Sequence, residues 1–524
     1  MYNFVMFMKQ HRVFFQFLLL ALVLLLSAYL RLYKISEYMT FLGDEGRDVL
    51  VVKRMIVDHK FTLLGPTASV GGFFLGPIYY YFMLPFLWLW KLDPTGPAVM
   101  VGLFGIATVY LVYKVGKDFF DFQTGITAAL LYALSPIVIA YSRSSWNPNV
   151  VPFFATLLVY LLFKFSREYK NIYICLAGVC LGIGIQLHYL FVFLFPLVFL
   201  WIFIYRKHTF IKTFSCLGIG ILAGASPFLL FEFRHGFANI RSITNFIFEG
   251  KDTGFKFDTY ISTLYDVFFR LFGRLVIRLP QRDIFDNFSK TLIQFWVFIS
   301  TVSAFVPTLF LLFIARSSAS VSKFIPKSWN KNGILLLLLW LVVPLFMFGF
   351  YKRAIYEYYF GIFFPVPFLV LSLFLSWISR FRYSRIFTLL SVASLAYVNW
   401  LGMPFQYPPN RQLEQVRRIS WEAYQMTGGK PFNFALVTGQ NSDHGYRFFF
   451  EVWGNAPKTI ENTVIDPERK SVADQLIVLC EIIDCKPLGH PLWEIAGFGK
   501  AEIVESKTVP FVTIHRLVHS VEKK

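Results

Sequence analysis

Leu42-Gly43-Asp44-Glu45-Gly46-Arg47-Asp48 comes soon after the first long apolar run of the chain, Val13 to Leu30. Four ionisable groups in five residues are costly beside a bilayer unless they face water or a polar cavity, so by default such a cluster marks a functional site. The surroundings are apolar. Of 524 residues, 56% are hydrophobic, 19% aromatic and only 15% charged, against roughly 25% charged in soluble domains. The expected fold class is an α-helical polytopic membrane protein.

Apolar runs long enough to span lie at 13–30, 97–115, 125–141, 150–165, 172–188, 189–205, 210–231, 291–315, 333–351, 358–378 and 385–402, about eleven crossings. The net charge of +19 does not point to nucleic acid, because the basic residues sit in short clusters between apolar runs. With the N-terminus inside, the loops carrying Lys114 and Lys117, Arg167 and Lys170, Arg206 and Lys207, Arg316 to Lys331 (with Lys323 and Lys327), and Arg380 to Arg385 are all cytoplasmic. That is the pattern of the positive-inside rule, and such clusters also suit anionic membrane lipids. It holds only if Phe73 to Trp90, interrupted by Gly76, Pro77 and Pro85, does not cross. This segment and Val49 to Val57 are therefore expected as helices along the outer surface, inside a first outer loop of about residues 31–96.

Composition divides the chain at about residue 402. Residues 1–402 form the membrane domain, and 403–524 have ordinary polar content. In that tail, strand-like runs at Phe432 to Thr438, Leu476 to Cys480, Ala501 to Val504 and Phe511 to Arg516, with helical patterning over Gln412 to Met426, predict a small extracytoplasmic α/β domain. Cys175, Cys180 and Cys216 lie in apolar runs and read as packing residues. Cys480 and Cys485 flank a short polar turn and read either as a disulfide, if the tail is outside the cytoplasm, or as two free thiols.

Several outer-face groups could carry chemistry. The carboxylates Asp44 and Glu45 suit general-base work, either one taking a proton from an attacking hydroxyl or amine; Asp44 could equally start the surface helix as its N-cap. Arg47 and Asp48 are pocket candidates or an exposed ion pair. Lys352 and Arg353 form the one basic group that the charge pattern places outside. They can grip a phosphate by charge-assisted hydrogen bonds, or contact headgroups, with Tyr356 and Glu357 beside them. Arg143, Trp146 and Asn147, in a polar aromatic loop, could bind a sugar, although Trp there also serves as an interfacial anchor. His188, Tyr189 and Glu232 lie at the same boundary. No close ligand spacing supports a required metal; a divalent ion is conceivable but not favoured.

The carboxylate pair, the surface helix, the polar loop after the third span and the outer tail together resemble integral-membrane glycosyltransferases of the C fold. Within them the sequence is similar to the protein O-mannosyltransferase and lipid A aminoarabinose transferase group, including rhizobial lipopolysaccharide sugar transferases. Leu63 to Tyr81, with its Pro-aromatic turn, looks like the segment that leads into a surface helix there. The resemblance implies a glycosyltransferase that moves a sugar with inversion from a polyprenyl-phosphate donor to a cell-envelope glycolipid, glycan or protein acceptor, generally without a metal cofactor. It also implies that Asp44 is the base. Gly46-Arg47-Asp48 departs from the eukaryotic mannosyltransferase continuation, so protein mannosylation does not follow. The rivals are a lipid-linked-sugar flippase or transporter, for which no repeat is visible, and a polysaccharide polymerase or ligase.

Overall fold

The computed structural model describes residues 2–205, 210–249, 252–316 and 325–520. Arg206, Lys207 and Lys323 of the charge pattern lie outside the described residues. The chain divides into two compact units. One comprises Met1–Tyr33, Thr62–Tyr79 and Val99–Pro408, the other Lys34–Phe61, Tyr80–Ala98 and Pro409–Lys524. The second unit is thus discontinuous, built from parts of the first outer loop as well as the tail.

The first unit is helical. Among the described residues five helices are long and apolar enough to cross a membrane, Val13–Leu32, Thr95–Phe119, Asn147–Glu168, Lys290–Arg316 and Lys331–Phe348. Two bent pairs bring the number to seven if each is one span. This corrects the expectation of about eleven. Proline accounts for much of the difference, since it removes a helix hydrogen bond and restricts the residue before it. The run 125–141 breaks at Ser135-Pro136 into Phe122–Leu134 and Pro136–Tyr141. Phe210–Gly224 and Ser226–Arg234 meet at 77° beside Pro227, and Glu357–Phe363 and Pro365–Ile378 at 59° beside Pro365. Asn171–Leu187 stays helical but is shorter, at 17 residues.

Two of these helices approach unusually closely. A Cβ on Gly178 would lie 2.3 Å from the Leu217 carbonyl oxygen, and one on Gly220 would lie 2.0 Å from that of Cys175. Gly182 and Gly224 extend the same contact one turn along each helix. Small residues four apart permit this backbone approach in membranes. Elsewhere in the unit, buried arginines tie helix ends together: Arg143 donates to the carbonyls of Leu30 (2.8 Å) and Tyr33 (2.7 Å). Arg31 donates to Ala133 (3.3 Å).

The second unit holds a four-stranded sheet, β1 (Asn433–Val437), β2 (Gln475–Cys480), β3 (Ala501–Val509) and β4 (Val512–His519), in the order β1-β2-β4-β3. β1 and β2 are parallel, in register Asn433 with Leu476, and the other pairs are antiparallel. β1 and β2 are buried along their whole length, as their unbroken apolar runs require. The helix Gln412–Met426 buries Leu413, Val416, Ile419, Ala423 and Met426, one stripe at helical spacing. Cys480 and Cys485 form a disulfide with Cα atoms 5.9 Å apart. The helix Gly43–Val57 meets the helix His444–Val452 so tightly that a Cβ on Gly46 would fall 2.4 Å from the Gly445 nitrogen.

Candidate functional site

The carboxylate cluster forms the first turn of the helix Gly43–Val57, whose N-cap is Leu42 and not Asp44. Leucine offers no side-chain acceptor, and Glu45 compensates. Its Oε2 accepts from the Leu42 nitrogen at 3.2 Å and its Oε1 from the Thr40 hydroxyl at 2.6 Å. Glu45 is buried and committed to holding the helix start, which is the N3 half of a capping box. Asp44 is released from the capping role. Its side chain is 51% exposed, and Oδ1 accepts from Arg47 at 2.7 Å.

Arg47 is clamped from the other side. Its Nε and Nη2 both donate to Oδ1 of Asp48, at 2.9 and 2.8 Å. Tyr80 donates to the same oxygen at 3.2 Å, while Oδ2 of Asp48 is buried without a partner. Burial pushes the Asp48 carboxyl up to about 7, with Arg47 pulling the other way. The sign of the consequence follows from proton counting. A carboxyl that holds its proton more tightly when folded favours folding in acid, so its contribution shrinks as pH rises from the ordinary value of 3.8 to about 7. The native protein is expected to lose thermal midpoint relative to Asp48→Asn across that window. Parallel curves for the two in detergent would refute the assignment.

In the first unit, an apolar cavity of about 560 Å³ lies between the Phe73–Gly76 segment, residues Ile185 to Phe199, and Met347 to Tyr351. Its polar groups are few: the Gln186 amide, Thr253, and the Tyr189 and Tyr351 hydroxyls, which lie 3.0 Å apart. Beyond Tyr351, the Lys352 nitrogen donates to the Asp252 carbonyl, and the exposed guanidinium of Arg353 pairs with the Asp252 carboxylate. Both predicted phosphate ligands therefore adjoin residues that line the cavity.

The other sequence candidates separate into two kinds. Tyr189 lines the cavity, with His188 stacked on it at 4.7 Å. Trp146 sits 4.5 Å from the Tyr358 ring, and Tyr356 stacks on that ring at 5.8 Å. Arg143, Asn147 and Glu232 have main-chain partners. Arg143 makes the ties described above, Asn147 donates to the Leu187 carbonyl at 2.6 Å, and buried Glu232 accepts from Ile240 at the start of the helix Ala238–Phe248. Glu357 is gripped by two arginines that the sequence reading passed over, Arg270 at 3.4 Å and Arg274 at 3.1 Å. Their spacing of four places them on one face of the helix Phe257–Gly273 and its C-cap, and that periodicity was the available signal. Among the described residues no group of three or more His, Cys, Asp or Glu could hold a metal ion.

The family described as dolichyl-phosphate-mannose-protein mannosyltransferase matches residues 76–231. No curated protein matches the chain. Among solved structures, the chain is similar to ArnT from Cupriavidus metallidurans bound to undecaprenyl phosphate, with TM-score 0.61 and 10% identity, covering 95% of this chain and 97% of that one. The apo form of the same protein gives TM-score 0.60 and 11% identity, covering 97% and 98%. At these identities the likeness is one of fold: the chain has the C fold of integral-membrane glycosyltransferases.

Proposed function

We propose that the protein transfers a sugar, with inversion, from a polyprenyl-phosphate donor to a cell-envelope glycolipid, glycan or protein acceptor. The observation that carries this reading is the apolar cavity adjoining Lys352 and Arg353. A long hydrocarbon needs an apolar enclosure and a phosphate needs cations nearby; Phe350 and Tyr351 line such an enclosure, and Lys352 and Arg353 follow them directly in the chain. The ArnT structure of the same fold holds undecaprenyl phosphate.

In the reaction the acceptor oxygen or nitrogen attacks the anomeric carbon, and its proton passes to Asp44. The bond from that carbon to the phosphate oxygen breaks, and the electron pair leaves with the lipid phosphate, which Lys352 and Arg353 stabilise as charge develops. A phosphate is already a good leaving group, so no strong general acid is needed. We place the N-terminus in the cytoplasm of a bacterium or archaeon and the tail outside its plasma membrane. Taking each bent pair once, with Phe122–Leu134, Asn171–Leu187, Tyr189–Tyr205 and Ser384–Trp400 as further crossings and Ile78–Leu89 along the outer surface, gives an arrangement that keeps the five basic loops of the charge pattern inside.

Donor binding tests the reading. Native mass spectrometry of the detergent-solubilised protein with undecaprenyl phosphate is expected to show a one-to-one adduct. Arg353→Ala should weaken it about tenfold, the equivalent of ~1.4 kcal/mol. Phe350→Glu, which puts a carboxylate on the cavity wall, should abolish it. Equal retention by all three proteins would overturn the proposal.

A further inference from the structure

The second unit has a cavity of its own, about 430 Å³, of which Asp44 is not a lining residue. Three separated segments build it: the helix Ile35–Tyr38, the turn after Trp90, and the start of the helix Gln412–Met426. Trp90, a residue 38% exposed, stacks its indole on Phe86 at 6.3 Å. Around it stand three carboxylates, Glu37, Asp93 and Glu414, with Arg417 and the hydroxyls of Ser36 and Thr95.

The carboxylates do not make a cation site, because each is matched. Arg417 donates to Asp93 at 2.7 Å, Lys34 lies 3.5 Å from Glu37, and Arg411 lies 3.9 Å from Glu414. What remains is a neutral pocket rich in both donors and acceptors, with one aromatic face. The same rim concentrates backbone strain. Lys34, Lys91, Leu92 and Arg411 all adopt left-handed conformations, with φ of 48°, 53°, 65° and 49°. Such residues are costly and persist where the surroundings fix them, often at binding sites.

We infer that this pocket is a saccharide-binding subsite, separate from the catalytic carboxylate. A pyranose ring has an apolar face of C–H groups that suits Trp90 and a rim of hydroxyls that both donate and accept, which suits Asp93, Arg417 and Glu37. The volume lies within the ~300–1,000 Å³ range of small-molecule sites. The inference goes beyond the transfer reaction and does not require Asp44 to be the base.

The test uses the full-length protein in nanodiscs on an array of bacterial surface saccharides. Native protein and Asp44→Asn are expected to retain the same saccharides. Trp90→Ala should lose at least tenfold in signal, and Glu37→Gln, which keeps the side chain's size, several-fold. The retained saccharide, free or on phosphatidylglycerol vesicles as a glycolipid, is then used as competitor. Competition by the free form identifies a soluble ligand, and competition by the vesicles alone identifies a membrane glycolipid head group. No retention by the native protein, unchanged retention in both variants, or competition by neither form would overturn the inference. Because Asp44→Asn keeps this binding, loss of transfer and loss of saccharide retention fail independently.

Discussion

Asp44→Asn is expected to reduce sugar transfer by about a thousandfold, within the ~10²–10⁴ range attributed to a positioned base. The substitution is nearly isosteric at a half-exposed position, and the helix start does not depend on it, because Glu45 holds the cap. Arg47 engages one oxygen of Asp44, and the other has no hydrogen bond among the described residues. That oxygen is the one available to an acceptor proton. Glu45→Gln supplies the contrast: it keeps an acceptor for the Leu42 nitrogen, so transfer should stay within a few-fold of native while the thermal midpoint drops slightly. Radiolabelled donor and purified protein would read both. Substantial turnover by Asp44→Asn, or a Glu45→Gln loss as large as its neighbour's, would reassign the base.

The second large effect is on stability. Glu357→Ala would leave Arg270 and Arg274 facing each other with their shared carboxylate gone. The three side chains are only 12%, 20% and 16% exposed. Breaking a fully buried pair on one side costs ~3–5 kcal/mol. With this residual solvent contact, and with Arg270 still bound to Asp266 and the Ile355 carbonyl, about 2–3 kcal/mol is expected. A fall of several degrees in the thermal midpoint in detergent would show it. Adding Arg274→Met should recover part of the loss, since it removes a stranded cation. A midpoint unchanged by Glu357→Ala would mean that the pair contributes nothing.

Much of this was legible from residues alone where a pattern was short and local. The tail strands were visible as apolar runs, and their central residues fall within β1, β2, β3 and β4. The helix Gln412–Met426 was visible from its 3.6-residue stripe. Asp44 stood out because charge beside apolar sequence is rare. Other features needed three dimensions. A hydropathy window averages over Ser135-Pro136 and Phe364-Pro365, so it cannot see the helices break there. The capping by Glu45 depends on Leu42 being the N-cap, a position at which leucine is not expected. Gly178, Gly182 and Gly220, Gly224 are evident in the sequence as small residues four apart, but their partnership across about 40 residues is set only by the fold. The saccharide pocket joins residues 36, 90 and 417, which no local pattern links.

The glycine-lined helix pair has a mechanical consequence. A methyl group at any of the four positions would have to displace backbone, so a larger residue at any one of them would push the two helices apart. They act as a two-ply strut. Gln186, at the end of one ply, donates to the Gly224 carbonyl of the other at 2.7 Å and also lines the apolar cavity. Gly76 packs against the same side chain, and a Cβ on it would lie 2.3 Å from Gln186, so this wall of the cavity has no room for added volume at Gly76 or Gly224.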